Sequence, residues 1–277
     1  MNDMKRQNYG AAFLVAFFLF GGWFFLGKKE RAFAQEYGVF LSIGEEDAQK
    51  LKDYRILVID AQYFSADKIR QMKAEGHEVY SYLNIGSLED FRPYYREFSD
   101  LLLSEYENWE EEAWIDIREK RWQEFILGEL SVKLLEKGVD GFFIDNADIY
   151  DQYPEEEFFL ALERMLRRLK SKGKILLNGG DVFLREFLAR GGGLSEIIEG
   201  INQETVFSSI DFEEESFGAS DPDTRAYFKD YIEDMASCGA KIYLLEYGSG
   251  KRLEEEVKNY CDEKRYRYYI SDSIELD

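Results

Sequence analysis

Gly138–Tyr150 reads GVDGFFIDNADIY, and its cadence is that of one α/β unit. The amphipathic stretch Lys120–Lys137 stops at a glycine, the residue suited to the left-handed turn that ends a helix. Gly141–Asp145 (GFFID) is then an apolar run too short for a helix and right for a buried strand, and it ends on an acid. The same cadence recurs on either side. Upstream lie YGVFLSI (Tyr37–Ile43), RILVID (Arg55–Asp60) and EVYSYLNI (Glu78–Ile85). Downstream lie KILLN (Lys174–Asn178), IIEGINQE (Ile197–Glu204), KIYLLEY (Lys241–Tyr247) and RYRYYIS (Arg265–Ser271). Helical periodicity fills Ser65–Ala74, Glu155–Lys172, Asp181–Ala189, Pro222–Ser237 and Lys251–Lys264, and Gly76, Gly173 and Gly239 stand before strands. Repeated βα units imply a parallel sheet. Eight of them within residues 35–277, with no Pro-, Gly- or Ser-rich linker, predict a single (β/α)8 TIM barrel.

Residues 1–34 form a separate object. Gln7–Gly27 carries no charge over 21 residues, about 30 Å of helix, which matches the hydrocarbon thickness of a bilayer. Lys5 and Arg6 precede it, and Lys28, Lys29 and Arg31 follow, so the positive-inside rule hardly decides orientation. Ala32-Phe33-Ala34 has the form of a signal-peptidase site, but KKER separates it from an apolar run longer than a signal peptide needs. A membrane-inserted signal anchor is expected, with a cleaved signal peptide as the alternative. Either one places the barrel at the extracellular face of the cell membrane or outside the cell.

The composition excludes whole classes of chemistry. One His and two Cys leave no multi-His zinc site and no disulfide-dense scaffold. His77 lies just before the third strand, at the face of a barrel opposite its chemistry, and is expected to be structural. The chain holds 35 basic and 56 acidic residues, a net −21. Residues 1–34 carry five of the bases and two of the acids, so the barrel keeps 30 against 54, a net −24. A nucleic-acid partner is therefore disfavoured, and cations, including cationic polymers, are attracted.

Barrel chemistry sits at the C-terminal strand ends. Those ends supply Asp60, Asn84 with Glu89 beyond it, Asp145, Asn146, Asp148, Asn178, Glu204, Glu246 with Tyr247, and Asp272. Convergent carboxylates suit glycoside hydrolysis, which needs one protonated acid and one ionised carboxylate and no metal. A divalent-cation site built on oxygen ligands is the second chemistry such a rim offers. After the third strand, Gly86 to Arg118 is an insertion holding Tyr94, Tyr95, Tyr106, Trp109 and Trp114, fit either to stack sugar rings or to bury its own aromatics. Cys238 and Cys261 flank the seventh strand on neighbouring helices, where they are either disulfide-bonded or two thiols.

YSYLNIGSLEDFRPYY (80–95), AWIDIR (113–118) and GVDGFFIDNADIYDQY (138–153) resemble glycoside hydrolase family 114, the endo-α-1,4-polygalactosaminidases and related proteins. LLNGG (176–180), INQETVF (201–207) and LLEYG (244–248) fit the same family. The resemblance covers essentially all of residues 35–277 and implies a (β/α)8 barrel. It implies that Asp145 and Glu204 are the catalytic carboxylates. The analogy with α-galactosidase-type barrels makes Asp145 the nucleophile and Glu204 the general acid/base. Asp60, Asn84, Glu89, Arg92, Asn146, Asp148, Tyr150, Asn178, Glu246 and Tyr247 would line the sugar subsites, with no metal and no cofactor. The implied substrate is a cationic polysaccharide rich in galactosamine and N-acetylgalactosamine, of the biofilm or capsule type. Association with polysaccharide synthesis or export machinery is implied as well. The alternative function is a catalytically weak barrel that binds such a polymer and assists its export at the membrane.

Overall fold

A computed structural model describes residues 31–277, apart from Asn108 and Glu215. The expected span Gln7–Gly27 lies outside the described residues; among these, no helix is long and apolar enough to cross a membrane.

Eight parallel strands follow one another around a ring. They are β1 (Gln35–Phe40), β2 (Tyr54–Ile59), β3 (Glu78–Asn84), β4 (Gly141–Asp145), β5 (Lys174–Asn178), β6 (Gly200–Glu204), β7 (Lys241–Tyr247) and β8 (Arg267–Ser271). Each pairs with its sequence neighbour, and β8 returns beside β1 to complete a TIM barrel. No hydrogen-bonded ladder joins β8 to β1; Phe40 and Tyr269 pack there at a tilt of 49°, each edge to face with Tyr54.

Alternation along the strands divides the core in two, as a period of two requires. Tyr37, Val58, Tyr82, Phe143, Leu176 and Leu245 fill the interior of the barrel. Leu57, Leu83, Phe142, Ile144, Leu177 and Leu244 face outward against the helices. The helices Ala66–Ala74, Glu156–Lys170, Asp181–Ala189, Pro222–Ser237 and Lys251–Lys264 cover that outer face, and a helical stretch from Lys120 to Lys137 carries a π turn at Phe125–Leu130. Gly76, Gly138 and Gly239 do end their helices in the left-handed region, at φ 102°, 105° and 94°. Gly173 does not, and instead gives room to the adjacent strand: a Cβ there would lie 3.4 Å from the Gly141 Cα.

Two excursions rise above the C-terminal rim. The insertion after β3 folds as a three-stranded antiparallel sheet, Leu102–Glu105 and Ser87–Glu89 flanking Glu112–Ile115. Trp122 anchors it, donating from Nε1 to the Ile85 carbonyl at 2.9 Å and packing on Phe98. The second is a hairpin after β6, Ser208–Asp211 with Ser216–Ala219. Cys238 is exposed, Cys261 is buried in the outer core, and both are free thiols.

Candidate active site

Four neighbouring strands end on an inward side chain and are followed by a residue in the left-handed region. Asp145 is followed by Asn146 (φ 62°), Asn178 by Gly179 (φ 63°), Glu204 by Thr205 (φ 54°) and Tyr247 by Gly248 (φ 135°). Three of these residues still complete a rung before the chain turns away: Gly179 N–H to Asn202 O, Thr205 N–H to Leu245 O and Gly248 N–H to Ser271 O. The inward side chain is thus left at the rim, where the chain turns away from the barrel. For Asn146, and above all for the β-branched Thr205, the conformation costs of order 1–3 kcal/mol, strain of the kind that collects at functional sites.

Asn178 joins the two leading acids. Its Nδ2 donates to Asp145 Oδ1 at 2.9 Å and to Glu204 Oε1 at 2.7 Å, so these two oxygens lie within the sum, 5.6 Å, of each other. The amide cannot be reversed. Its Oδ1 accepts from Asn202 Nδ2 at 2.7 Å, and Asn202 Oδ1 accepts from the Tyr37 hydroxyl at 2.9 Å. Asp145 Oδ1 also accepts the Asn146 N–H at 3.0 Å, and Glu204 Oε2 accepts the Tyr247 hydroxyl at 2.7 Å. Burial raises both carboxyls above their ordinary values. For Asp145 the bonds from Asn178, Asn146 and Tyr82 oppose that rise; for Glu204 the Tyr247 and Asn178 bonds oppose it while the Asp145 charge adds to it.

These groups open on a cavity of about 920 Å³. Asp60, Glu89, Arg92, Asn146, Asp148 and Tyr247, all proposed above for the subsites, line it with the pair. Arg92 is buried between two acids, bonding Asp60 at 2.5 Å and Glu89 at 2.8 Å, and burial pushes the Asp60 carboxyl up against the opposing Arg92 charge. Asp148 accepts the Gly180 N–H at 3.0 Å, and burial first, then the Asp145 charge, lifts it to about 7. Ten acidic residues and one basic residue line the cavity among the described residues.

Three expected residues do not reach it. Glu246 sits one position from Tyr247 and so faces the opposite way, fully buried, its carboxylate accepting the Phe207 and Ser208 N–H groups and the Ser208 hydroxyl. Tyr150 lies in the short helix Ile149–Gln152 and packs on Phe159 and Phe183 in the outer core. Asn84 lies behind the cavity wall, donating to Ser87 Oγ at 2.6 Å and Glu112 Oε1 at 2.9 Å. His77 is buried with Nδ1 2.6 Å from the Tyr54 carbonyl oxygen, at the N-terminal face of the barrel.

Sequence reasoning missed Glu112, Asn202 and Phe212. Glu112 comes from the insertion, lines the cavity and is raised to about 7 by burial, then by Glu89 and Asp145. The insertion's aromatics divide. Tyr94 packs on Phe125 and Trp122. Tyr106, stacked on Trp114 at 4.5 Å, and Trp109 line the cavity, where Trp109 meets Phe212 of the hairpin edge to face at 5.9 Å. Among the described residues no three His, Cys, Asp or Glu side chains are grouped to hold a metal ion.

Residues 28–174 match the glycoside-hydrolase family GH114. The chain belongs to that family, and is a glycoside hydrolase by descent. No curated protein matches it in sequence. Among solved structures it is similar to the glycoside hydrolase domain of PelA from Pseudomonas aeruginosa, at 17% identity and a TM-score of 0.74 over 87% of this chain and 96% of that one. Ega3 of Aspergillus fumigatus, solved in complex with galactosamine, is 16% identical with a TM-score of 0.69 over 90% and 95%. The α-galactosidase TtGalA of Thermus thermophilus, solved with stachyose, is 13% identical with a TM-score of 0.56 over 87% and 62%. At these identities the likeness is one of fold.

Proposed function

We propose that this chain is an endo-acting hydrolase of α-1,4-linked polysaccharide rich in galactosamine, working with retention of configuration through Asp145 and Glu204. The observation that carries the reading is the single Asn178 amide nitrogen bonded to an oxygen of each acid. That bridge keeps one oxygen of each acid within 5.6 Å of the other, which supports the short spacing of retaining glycosidases, about 5–5.5 Å, over the wider gap that admits a water between acid and base. Asp145 takes bonds from Asn178, from the Asn146 N–H and from Tyr82, all of which favour its ionised form, so it attacks the anomeric carbon. Glu204, raised by burial and by its charged neighbour, protonates the departing oxygen and then takes the proton of the hydrolytic water.

The substrate class follows from charge. Ten acids against one already paired arginine favour a polymer carrying ammonium groups. The PelA domain and the galactosamine-bound Ega3 share the fold, which agrees with that class. We place residues 1–34 as a signal anchor or signal peptide ahead of a barrel at residues 35–277, outside the cell or on its outer surface, near the machinery that makes or exports the polymer. Arg31 bonds Glu75 and the Lys52 carbonyl, both at the N-terminal face of the barrel, which is the face opposite the cavity.

The test is incubation of the protein with a partly deacetylated galactosamine polymer. Products of several sugars read by mass spectrometry, with a retained anomer by NMR, are expected. Inverted products would overturn the nucleophile role of Asp145, and no cleavage of any α-linked amino-sugar polymer would overturn the function.

A further inference from the structure

The buried acids of the cavity differ in what answers their charge. Asp60 and Glu89 share the Arg92 guanidinium. Asp145 and Glu204 share the Asn178 amide. Asp148 is tucked under the turn at Gly179 and Gly180, close enough that a Cβ on Gly179 would lie 2.7 Å from its Oδ2. Glu112 fits none of these groups. Its Oε1 accepts from Asn84 Nδ2 at 2.9 Å, from Asn146 Nδ2 at 2.7 Å and from the Ser87 hydroxyl. All three donors are neutral, and all three use the same oxygen. Among the described residues, Oε2 has no hydrogen-bond donor and no Lys or Arg pairs with this carboxylate, which borders the cavity. Glu89 and Asp145 add repulsion. A partly buried anion among other anions, with one oxygen held and the other unused, is stabilised most by a cation that the ligand brings.

The position of Glu112 says where on the ligand that cation sits. Asn146 gives its side-chain nitrogen to Glu112 and its backbone N–H to Asp145 Oδ1, so one residue spans the two carboxylates. Its Oδ1 accepts the Tyr106 hydroxyl at 3.0 Å, which fixes the amide's direction. Gly86 presses on the same residue: a Cβ there would fall 1.9 Å from the Asn146 carbonyl oxygen, so the close approach is open only to glycine. In a 2-amino sugar the ammonium is carried on the carbon bonded to the anomeric one. We propose that Glu112 binds the 2-ammonium of the sugar whose anomeric carbon faces Asp145, so that cleavage selects deacetylated residues at that subsite. This rests on the reading of Asp145 as nucleophile. An N-acetyl group would set a neutral amide against Glu112 and leave the carboxylate without its counter-ion.

The test compares kcat/KM on partly deacetylated and fully N-acetylated galactosamine polymer for the wild type and for Glu112→Gln, which keeps shape and removes charge. The preference for the deacetylated polymer should fall at least tenfold in the variant. A ratio unchanged within twofold, in a wild type that cleaves the polymer, overturns the assignment and leaves the catalytic pair standing. A wild type that cleaves neither polymer overturns the function and this inference with it. If the variant fails to fold, carboxyl NMR of the wild type decides. A galactosamine trisaccharide should lower the Glu112 titration by a unit or more, and either no binding or an unmoved titration overturns the proposal.

Discussion

The wall and the roof of the cavity obey different rules. The wall is made of Asp145, Asn178, Glu204 and Tyr247, held in ladder register, with Asn178 opposite Asn202 and Glu204 opposite Leu245. Backbone hydrogen bonds fix each of them, and a slip of one position would turn it outward. Glu246 shows what that costs: at the end of the same strand as Tyr247, it is sealed from the cavity and serves the packing of the Phe207–Ser208 segment. The roof is made of Tyr106, Trp109 and Glu112 from the insertion and Phe212 from the hairpin. Within the insertion Tyr106 stacks on Trp114 and Glu112 pairs with Glu89; between the two excursions the Trp109–Phe212 side-chain contact is made and no ladder joins them. Bond-breaking groups thus stand where the backbone is most tightly determined, and recognition groups stand where loops can vary.

The sharpest way to break this comparison is to remove charge from the wall. Asp145→Asn and Glu204→Gln should each lower kcat by about a thousandfold or more, roughly 4 kcal/mol of barrier, with thermal melting close to wild type. Either variant retaining more than about a tenth of the turnover, roughly 1.4 kcal/mol, would remove that residue from the chemistry.

Glu246→Ala tests the opposite face of the same rim. Truncation empties a fully buried site and orphans the Phe207 and Ser208 donors, a loss of about 3 kcal/mol of stability. Turnover per folded molecule should hold. The folded-state carboxyl lies at about 7 against 4.5 for its ordinary value, burial being the cause. The folded chain therefore binds the extra proton across that window, and stability falls as pH rises through it. The variant should lose this part of the slope in melts between about pH 4.5 and 7. A normal melt with lost turnover would place Glu246 in the active site after all.

Asn178→Ala keeps both acids and removes the bridge between them. A fall in kcat of about ten- to a hundredfold, roughly 1.4–2.7 kcal/mol, is expected. The Asn178 bonds lower both carboxyls, so their loss raises both. The acidic limb, set by ionisation of Asp145, and the alkaline limb, set by protonation of Glu204, should move together to higher pH. Limbs that stay in place would mean that the bridge only packs.

The wall was legible in the sequence and the roof largely was not. Gly141–Asp145, Lys174–Asn178 and Lys241–Tyr247 are strands with the bounds that their apolar runs predict. The run Ile197–Glu204 becomes strand only at Gly200, because Leu194–Glu196 forms a 3-10 turn that carries Ile197 out of the sheet. The expected contact of Glu246 with sugar fails on alternation alone, since Leu245 and Tyr247 already claim the inward face. Glu112 carried no such signal. It is the third of three consecutive glutamates, and only its pairing with Glu89 in the small antiparallel sheet brings it over Asn146. Phe212 is likewise silent until the hairpin folds it toward Trp109, a contact between residues about a hundred positions apart.

The smallest expected effect lies in the roof itself. Trp109 is 39% exposed, lines the cavity without joining the bonded network of Asn178, and meets Phe212 edge to face. An aromatic there can stack a sugar without touching the reacting bond, a uniform contribution to ground state and transition state that appears in KM and not in kcat. Trp109→Ala should raise KM for long polymer about fivefold, roughly 1 kcal/mol, while kcat stays within twofold. Phe212→Ala should do less on its own. If the two rings act as one platform, their double variant should cost less than the two single losses added together, because either truncation already breaks the pair. Strict additivity would make them independent contacts. A fall in kcat for Trp109→Ala would show that the roof reaches the reacting bond and that the division between wall and roof is wrong.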